Sequence, residues 1–240
     1  MTDTFQYDGP ELEVFLRAEN WQRYIAGQIA PFLNGRILEV GAGIGTVSSV
    51  ILNGRYSNHA EQWLCLERDP ALVEKIRRKI ADKELPNWVR TETGTVRDLD
   101  KSTRFDGIMY VDVLEHIEDD AREIAEAASR LEMGGNLIVM APAHAWLFSE
   151  LDQAAGHFRR YTKSSLSALK PANLVGIVNR YLDCAGVLAS LGNKLFLGKG
   201  VPNQRQIFVW DRILVPVSRI LDPLLFFWVG KSVLVVWQKR

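Results

Sequence analysis

Residues Arg36-Ile-Leu-Glu-Val-Gly-Ala-Gly-Ile-Gly-Thr-Val-Ser48 leave few folds open to this chain. A short apolar run feeds glycines at 41, 43 and 45, and a helix-forming stretch follows at once. Glycines let the backbone turn tightly and approach a ligand with no Cβ in the way, and the helix after them aims N–H groups at it. Strand, glycine turn and helix in that order open an α/β sheet that holds a nucleotide-type cofactor beyond the carboxyl ends of its strands. Glu67 ends the next apolar run, Trp63-Leu-Cys-Leu66, at the distance where dinucleotide folds place a carboxylate on ribose hydroxyls.

The rest of the chain continues the alternation. Strand one, residues 36–40, leads to a helix at 46–52, strand two at 62–66 to a helix at 71–82, and a third strand follows at 88–91. Strand four, residues 105–111, precedes a helix that opens on the acidic Glu118-Asp-Asp-Ala-Arg-Glu123, whose charges suit its positive end. Strand five is expected at 134–142, with Gly134 and Gly135 turning out of the preceding helix. A helix begins at Thr162, strand six spans 173–181 and the final strand 231–238. Before the sheet, residues 11–34 repeat Leu12, Phe15, Leu16, Trp21, Ile25, Ile29, Phe32 and Leu33 at helical spacing, with Asn34-Gly35 as a stop.

With 240 residues, nearly half hydrophobic, one large core is affordable, and one domain over residues 1–240 is expected. Lysine and arginine number 29 and so do aspartate and glutamate, which leaves no basic excess for nucleic acid. Cys65 and Cys184 form neither a disulfide framework nor a metal spacing. Residues 1–6 show no secretory leader, and no stretch reads as a membrane span, so a cytoplasmic protein is expected.

Three motifs stand in register: Glu39-x-Gly41-x-Gly43-x-Gly45, then Glu67-Arg-Asp-Pro70, then Phe105-Asp-Gly-Ile-Met-Tyr-Val-Asp-Val-Leu-Glu-His-Ile117. Together they resemble the Rossmann-like, class I S-adenosylmethionine-dependent methyltransferases, most clearly over residues 35–142. The resemblance implies an α/β fold with a seven-stranded, mostly parallel sheet whose last strand is antiparallel, helices on both faces, and S-adenosylmethionine as cofactor. It implies cofactor contacts from Glu39, Gly41, Ala42, Gly43, Gly45, Glu67, Arg68, Asp112 and Val113, and adenine contacts from Gly94, Thr95 and Val96. The family commonly has an acidic residue where this chain has Thr95, so Asp98 is a further adenine candidate. By the same resemblance the leading helices cover the cleft, where Phe5, Tyr7, Trp21 and Tyr24 either touch ligands or pack the core.

Asp112, Glu115 and His116 fall at offsets of three and four, so a helical turn would bring two carboxylates and an imidazole to one face, a set able to hold a divalent cation. The pattern partly resembles the Glu-x-x-Glu-His of ubiquinone-pathway O-methyltransferases, with Asp in place of the first Glu. The other reading is that His116 orders the loop beside the methyl group; no metal is expected.

After strand five, His144-Ala-Trp-Leu-Phe-Ser-Glu-Leu-Asp152 and Gly156-His-Phe-Arg-Arg-Tyr161 crowd aromatic, imidazole and guanidinium groups into one connection. It resembles a bacterial methyltransferase subgroup that carries an Asp and then Gly-His-aromatic-Arg-Arg-Tyr. Residues 143–161 are read as the acceptor loop, with Trp146, Arg159, Arg160 and Tyr161 as acceptor contacts and His157, His144 and His116 as candidate proton-handling groups. The alternative is an internal network of Asp152, His157 and the arginines that stiffens the loop. Residues 183–230 form a helical cap of two segments that break at 198–202, the second amphipathic and interrupted by Pro216 and Pro223. Its apolar side covers core, walls a lipid-like acceptor or makes a dimer contact.

The expected activity is methyl transfer to a small organic acceptor, at oxygen first and nitrogen next. Two rivals are non-methylating chemistry on the same fold, such as a cyclisation or rearrangement, and a non-catalytic partner subunit.

Overall fold

The computed structural model describes residues 16–54, 56, 59–196 and 203–240, and places seven strands in one sheet of order β3-β2-β1-β4-β5-β7-β6. The strands are β1 (Asn34–Val40), β2 (His59–Glu67), β3 (Val89–Thr93), β4 (Phe105–Val111), β5 (Leu131–Pro142), β6 (Leu174–Leu182) and β7 (Ser232–Lys239). Pairings among β3, β2, β1, β4 and β5 are parallel, and β7 runs antiparallel between β5 and β6. Strands inside the sheet are covered on both faces, which is why residues 137–141 of β5 and 233–237 of β7 are unbroken apolar runs.

Alternate side chains of those runs feed two cores. Ile138, Met140, Leu234 and Val236 join Trp63, Met109 and helix α1 (Glu19–Ile29) on one face. Leu137, Val139, Val235 and Trp237 join Tyr110 and helix α4 (Asp120–Ser129) on the other. The intervening helices are α2 (Thr46–Asn53), after the glycine turn, and α3 (Pro70–Ala81), which Asp69 caps by accepting the Ala71 N–H at 2.7 Å.

Three local expectations change. Gly134 and Gly135 lie inside β5: Leu131 already pairs with Phe105, the register slips, and pairing resumes at Asn136 with Gly107. Gly134 takes φ 79° there, so the glycines absorb an irregularity in the strand rather than end the helix. Asn34-Gly35 starts β1 instead of stopping a helix, which already gives way to a 3-10 turn at Ala30–Phe32. The acceptor connection holds a 3-10 turn (Ala145–Leu147) and a short helix, α5 (Glu150–Ala154), before α6 (Lys163–Ala168).

The cap consists of α7 (Cys184–Phe196), α8 (Gln204–Val209) and α9 (Val215–Leu224). Pro216 does not interrupt it, because a π-helical turn, Trp210–Leu214, joins α8 to α9 and routes the Val215 N–H to the Trp210 carbonyl. The wider turn absorbs the hydrogen bond that proline cannot donate, and Pro223 falls in the last turn of α9. Phe5, Tyr7, Leu12, Phe15 and the break expected at 198–202 lie outside the described residues.

Candidate active site

The sheet order reverses between β1 and β4, so a crevice opens at their carboxyl ends. There the chain turns through Gly41, Gly43 and Gly45 with φ of 65°, 57° and 70°. At Gly41 a Cβ would lie 2.6 Å from Val113, so this turn and the one after β4 are packed together. Gly45 caps α2 with no side-chain hydrogen bond. A cavity of about 830 Å³ covers the loop, a volume within the range of small-molecule sites. Its walls include Gly41, Ala42, Gly43, Ile44, Thr46 and Val47 on one side, Asp112, Glu115 and His116 on a second, Asp152, His157 and Arg160 on a third, and the cap and α1 above.

Glu39 lies on the cavity wall beneath the loop and is 3% exposed. Ser48 Oγ and, at 3.3 Å, Trp63 Nε1 donate to its carboxylate. Burial raises its pKa to about 7, against the lowering effect of those donors. Glu67 accepts the Gly43 N–H at 2.9 Å and the Asp69 N–H at 3.0 Å, so it fixes the glycine loop. Thr95 donates through both its N–H and its hydroxyl to Asp98, at 2.8 and 2.7 Å, and Val96 is fully buried. Gly45, Glu67, Arg68, Gly94, Thr95, Val96 and Val113 are not on the cavity wall.

Asp112 does not begin a helical turn. Its φ is 53° and its N–H bonds the Met140 carbonyl, so the 3-10 turn starts only at Leu114. The set that converges is therefore Glu115, His116 and His157, one ligand atom from each lying within 4.8 Å of the others. The rings of His116 and His157 meet edge to face at 4.5 Å. Burial first, and then the neighbouring His157, lower the His116 pKa to about 4, so its imidazole is neutral at physiological pH.

Asp152, 1% exposed, organises the acceptor loop. His157 Nδ1 donates to its Oδ1 at 2.9 Å, and Arg160 donates Nε at 2.7 Å and Nη2 at 3.0 Å. Burial alone would raise the Asp152 pKa, but hydrogen bonds from His157 and Arg160 hold the carboxyl well below the usual range. A carboxylate only accepts, so His157 carries its proton on Nδ1 and Nε2 is its basic nitrogen.

Other loop residues make contacts away from the cavity. Arg159 bonds Asp120 at 2.7 Å and the Glu118 carbonyl at 2.7 Å, and Tyr161 donates its hydroxyl to Asp120 at 2.7 Å. The Phe158 N–H reaches the Glu115 carbonyl at 2.8 Å, which seats the loop on the turn after β4. His144, at φ 65°, stacks on Tyr181 with ring centroids 4.7 Å apart, and Trp146 stands half exposed beside it. His144, Trp146, Arg159 and Tyr161 thus do not reach the cavity wall, whereas His157, Arg160 and His116 do.

Two charged groups on the wall, Arg205 and Lys231, went unread in the sequence. Lys231, at the start of β7, lies 3.8 Å from Asp183 and 3.8 Å over the Trp210 ring, with Trp21 at 5.1 Å. Burial lowers its pKa, opposed by the Asp183 charge. A lysine one residue before an apolar strand carries no signal of this; the cap had to fold over it.

A family model described as a methyltransferase domain matches residues 16–174. No curated protein sequence matches the chain. Solved structures share the fold at low identity. A chain in the complex between the Haloferax volcanii Trm112 methyltransferase activator and a putative methyltransferase is 14% identical, with TM-score 0.63, 96% of this chain covered and 95% of that one. The [4+2]-cyclase SpnF is 16% identical, with TM-score 0.61 and coverage of 92% and 80%. The mitomycin 7-O-methyltransferase MmcR is 16% identical, with TM-score 0.60 and coverage of 97% and 59%.

Proposed function

The chain belongs to the methyltransferase-domain family, whose cofactor is S-adenosylmethionine, and from that premise we propose that it methylates a small organic acceptor at oxygen. The observation that carries this reading is the Asp152–His157 pair at 2.9 Å on the wall of the cavity that holds the glycine loop. When bound, the cofactor supplies a methyl group on a sulfonium leaving group. The chain's residues have three tasks: to hold the cofactor, to place the acceptor, and to take a proton from an acceptor that must lose one.

The glycine turn and its buried Glu39 fit the first task. The turn presents backbone at the cavity, α2 begins there without a side-chain cap, and a carboxylate with a pKa near neutrality suits a cationic ligand group. His157 fits the third. Asp152 fixes its tautomer, so Nε2 takes the hydroxyl proton and the buried carboxylate stabilises the imidazolium formed. Arg160 on the same wall keeps Asp152 ionised; it is a positioning residue, and an acceptor that meets it would share it with that carboxylate. A proton acceptor is needed less by a nitrogen lone pair and not at all by a spectator subunit, which is why oxygen ranks first. The buried free thiols Cys65 and Cys184 fit a reducing, cytoplasmic setting.

The test is methyl transfer from labelled S-adenosylmethionine to a panel of phenols, hydroxy acids, carboxylic acids and amines, run alongside calorimetry with S-adenosylhomocysteine. His157→Ala is expected to lower turnover by roughly 10²–10⁴-fold with little change in cofactor affinity. A folded His157→Ala protein with normal turnover would remove the base. A second reading rests on the convergence of Glu115, His116 and His157, which together suit a divalent cation that holds the acceptor's oxygen. Turnover that survives dialysis against a chelator favours the base. Turnover lost to the chelator and restored by magnesium or zinc favours the cation.

A further inference from the structure

The cap inverts the polarity of an ordinary surface helix. Between residues 203 and 229 the acidic residues are Asp211 and Asp222, which are 1% and 0% exposed. Asp211 accepts the Trp21 N–H at 2.9 Å, and Asp222 accepts the Tyr24 hydroxyl at 2.6 Å and the backbone N–H groups of Asp183 and Cys184. Both carboxylates are thus spent on fastening the cap to the body. The charges left facing outward on the π turn and α9 are Arg212 and Arg219, the first of which also lies 3.9 Å from the exposed Glu19 of α1, whereas Arg205 lines the cavity.

Between those arginines stand large apolar side chains. Ile213 is 53% exposed, Ile220 66% and Leu224 67%, and just beyond α9 Phe226 is 79% and Trp228 76% exposed. Ile213, Val217, Ile220 and Leu224 recur at offsets of four, three and four, the spacing of one helical stripe, and Arg212 and Arg219 stand seven residues apart along its border. Phe226 and Phe227 both adopt left-handed φ, 51° and 55°, a conformation that bulky residues rarely accept. Hydrogen bonds hold it: the Phe227 N–H reaches the Asp222 carbonyl at 2.7 Å, and its own carbonyl accepts from Lys163 Nζ at 2.6 Å. The consequence is a Phe226 ring held in water beside Trp228.

An apolar stripe with aromatic residues and arginines on its border is the composition of a helix that lies in a lipid headgroup layer. No described helix is long and apolar enough to cross a membrane, so the contact is with the surface. A second copy seated on the same patch fits poorly, because an isologous contact would bring four of these arginines together, with Glu19 of each copy, already paired to Arg23, as the exposed carboxylate beside them. We propose that the outer face of α8 and α9, with Phe226 and Trp228, docks this protein on the surface of a membrane containing anionic lipid. The opposite side of the same segment, through Ile207, Trp210 and Leu214, lines the cavity, so the docked face and the candidate active site share one wall. The inference holds whatever the acceptor proves to be.

The full chain is mixed with vesicles of phosphatidylcholine alone and of phosphatidylcholine with phosphatidylglycerol, and the bound fraction is read by flotation at low and high salt. Partition is expected to favour the anionic vesicles by about tenfold or more and to fall with salt. Arg212→Glu with Arg219→Glu should abolish that preference, and Leu224→Ser with Trp228→Ser should weaken binding to the anionic vesicles. Retention of the melting-temperature rise on adding S-adenosylhomocysteine shows that these variants remain folded. Equal or absent binding to the two vesicle types overturns the proposal, as does binding that neither pair of substitutions changes. Sedimentation velocity run in parallel gives the patch to a second copy instead if the chain is a dimer that Leu224→Ser with Trp228→Ser dissociates while vesicles are ignored.

Discussion

Glu39 and Glu67 show how one carboxylate type takes two roles beside the same loop. Glu39 is buried with a pKa raised to about 7, so the folded state holds a proton that the unfolded state releases near 4.5. The native form binds more protons between those values, and stability therefore falls as pH rises from 4.5 to 7. Glu39→Gln is expected to remove that fall and to raise the melting temperature above pH 7, with a difference of about 3 kcal/mol as an upper bound. Thermal unfolding followed across pH checks it; parallel curves for the two proteins would mean that Glu39 does not titrate in this window. Glu67 instead ties the loop through the N–H groups of Gly43 and Asp69. Glu67→Ala is expected to weaken S-adenosylhomocysteine binding by roughly ten- to a hundredfold, the value of a charge-assisted hydrogen bond of about 1.5–3 kcal/mol. Unchanged affinity by calorimetry would show that the loop keeps its shape without Glu67.

Elements here are held by buried carboxylates as well as by apolar area. Asp120 receives Tyr161 and Arg159 and so locks the acceptor loop onto α4. Asp183, fully buried at φ 64°, accepts Trp210 Nε1 at 2.7 Å, Ser218 Oγ at 2.5 Å and the Gly186 N–H at 3.0 Å, and in this way gathers α7, the π turn and α9. Asp222 joins α9 to α1 and to the end of β6. Asp222→Ala would leave the Tyr24 hydroxyl and two backbone N–H groups without their acceptor, a loss worth about 3 kcal/mol or more. The melting temperature should drop by roughly 6–12 °C. A drop of a degree or two would show that water replaces the carboxylate at the cap's base.

On the scale of the molecule, the cavity is assembled from segments far apart in sequence: α1, the glycine loop, the turn after β4, the acceptor loop, the cap and Lys231. A ligand that fills it ties all of them together. S-adenosylhomocysteine at about a hundred times its dissociation constant adds roughly 2.7 kcal/mol of stability and should raise the melting temperature by about 5–10 °C. Absence of any rise at saturating ligand would contradict cofactor binding at this cavity.

The sequence by itself determined the sheet and the place of the crevice. Glycine spacing, apolar period and strand-helix alternation are local properties, and residues 36–142 carry them without interruption, so β1 through β5 and the loop between Gly41 and Gly45 were legible. Only the tertiary structure decided which polar side chains share a point in space. Asp112 left the expected cluster because a left-handed backbone at the end of β4 turns it away, and His157 entered because Asp152 and the Phe158 N–H seat its loop against Glu115. Arg159 and Tyr161 were spent on Asp120, 41 residues or less away in the chain but adjacent after folding. Lys231 and the cap's buried aspartates gave no local sign, because a lone charge in a sequence is read as solvated until long-range contacts bury it and supply its partner.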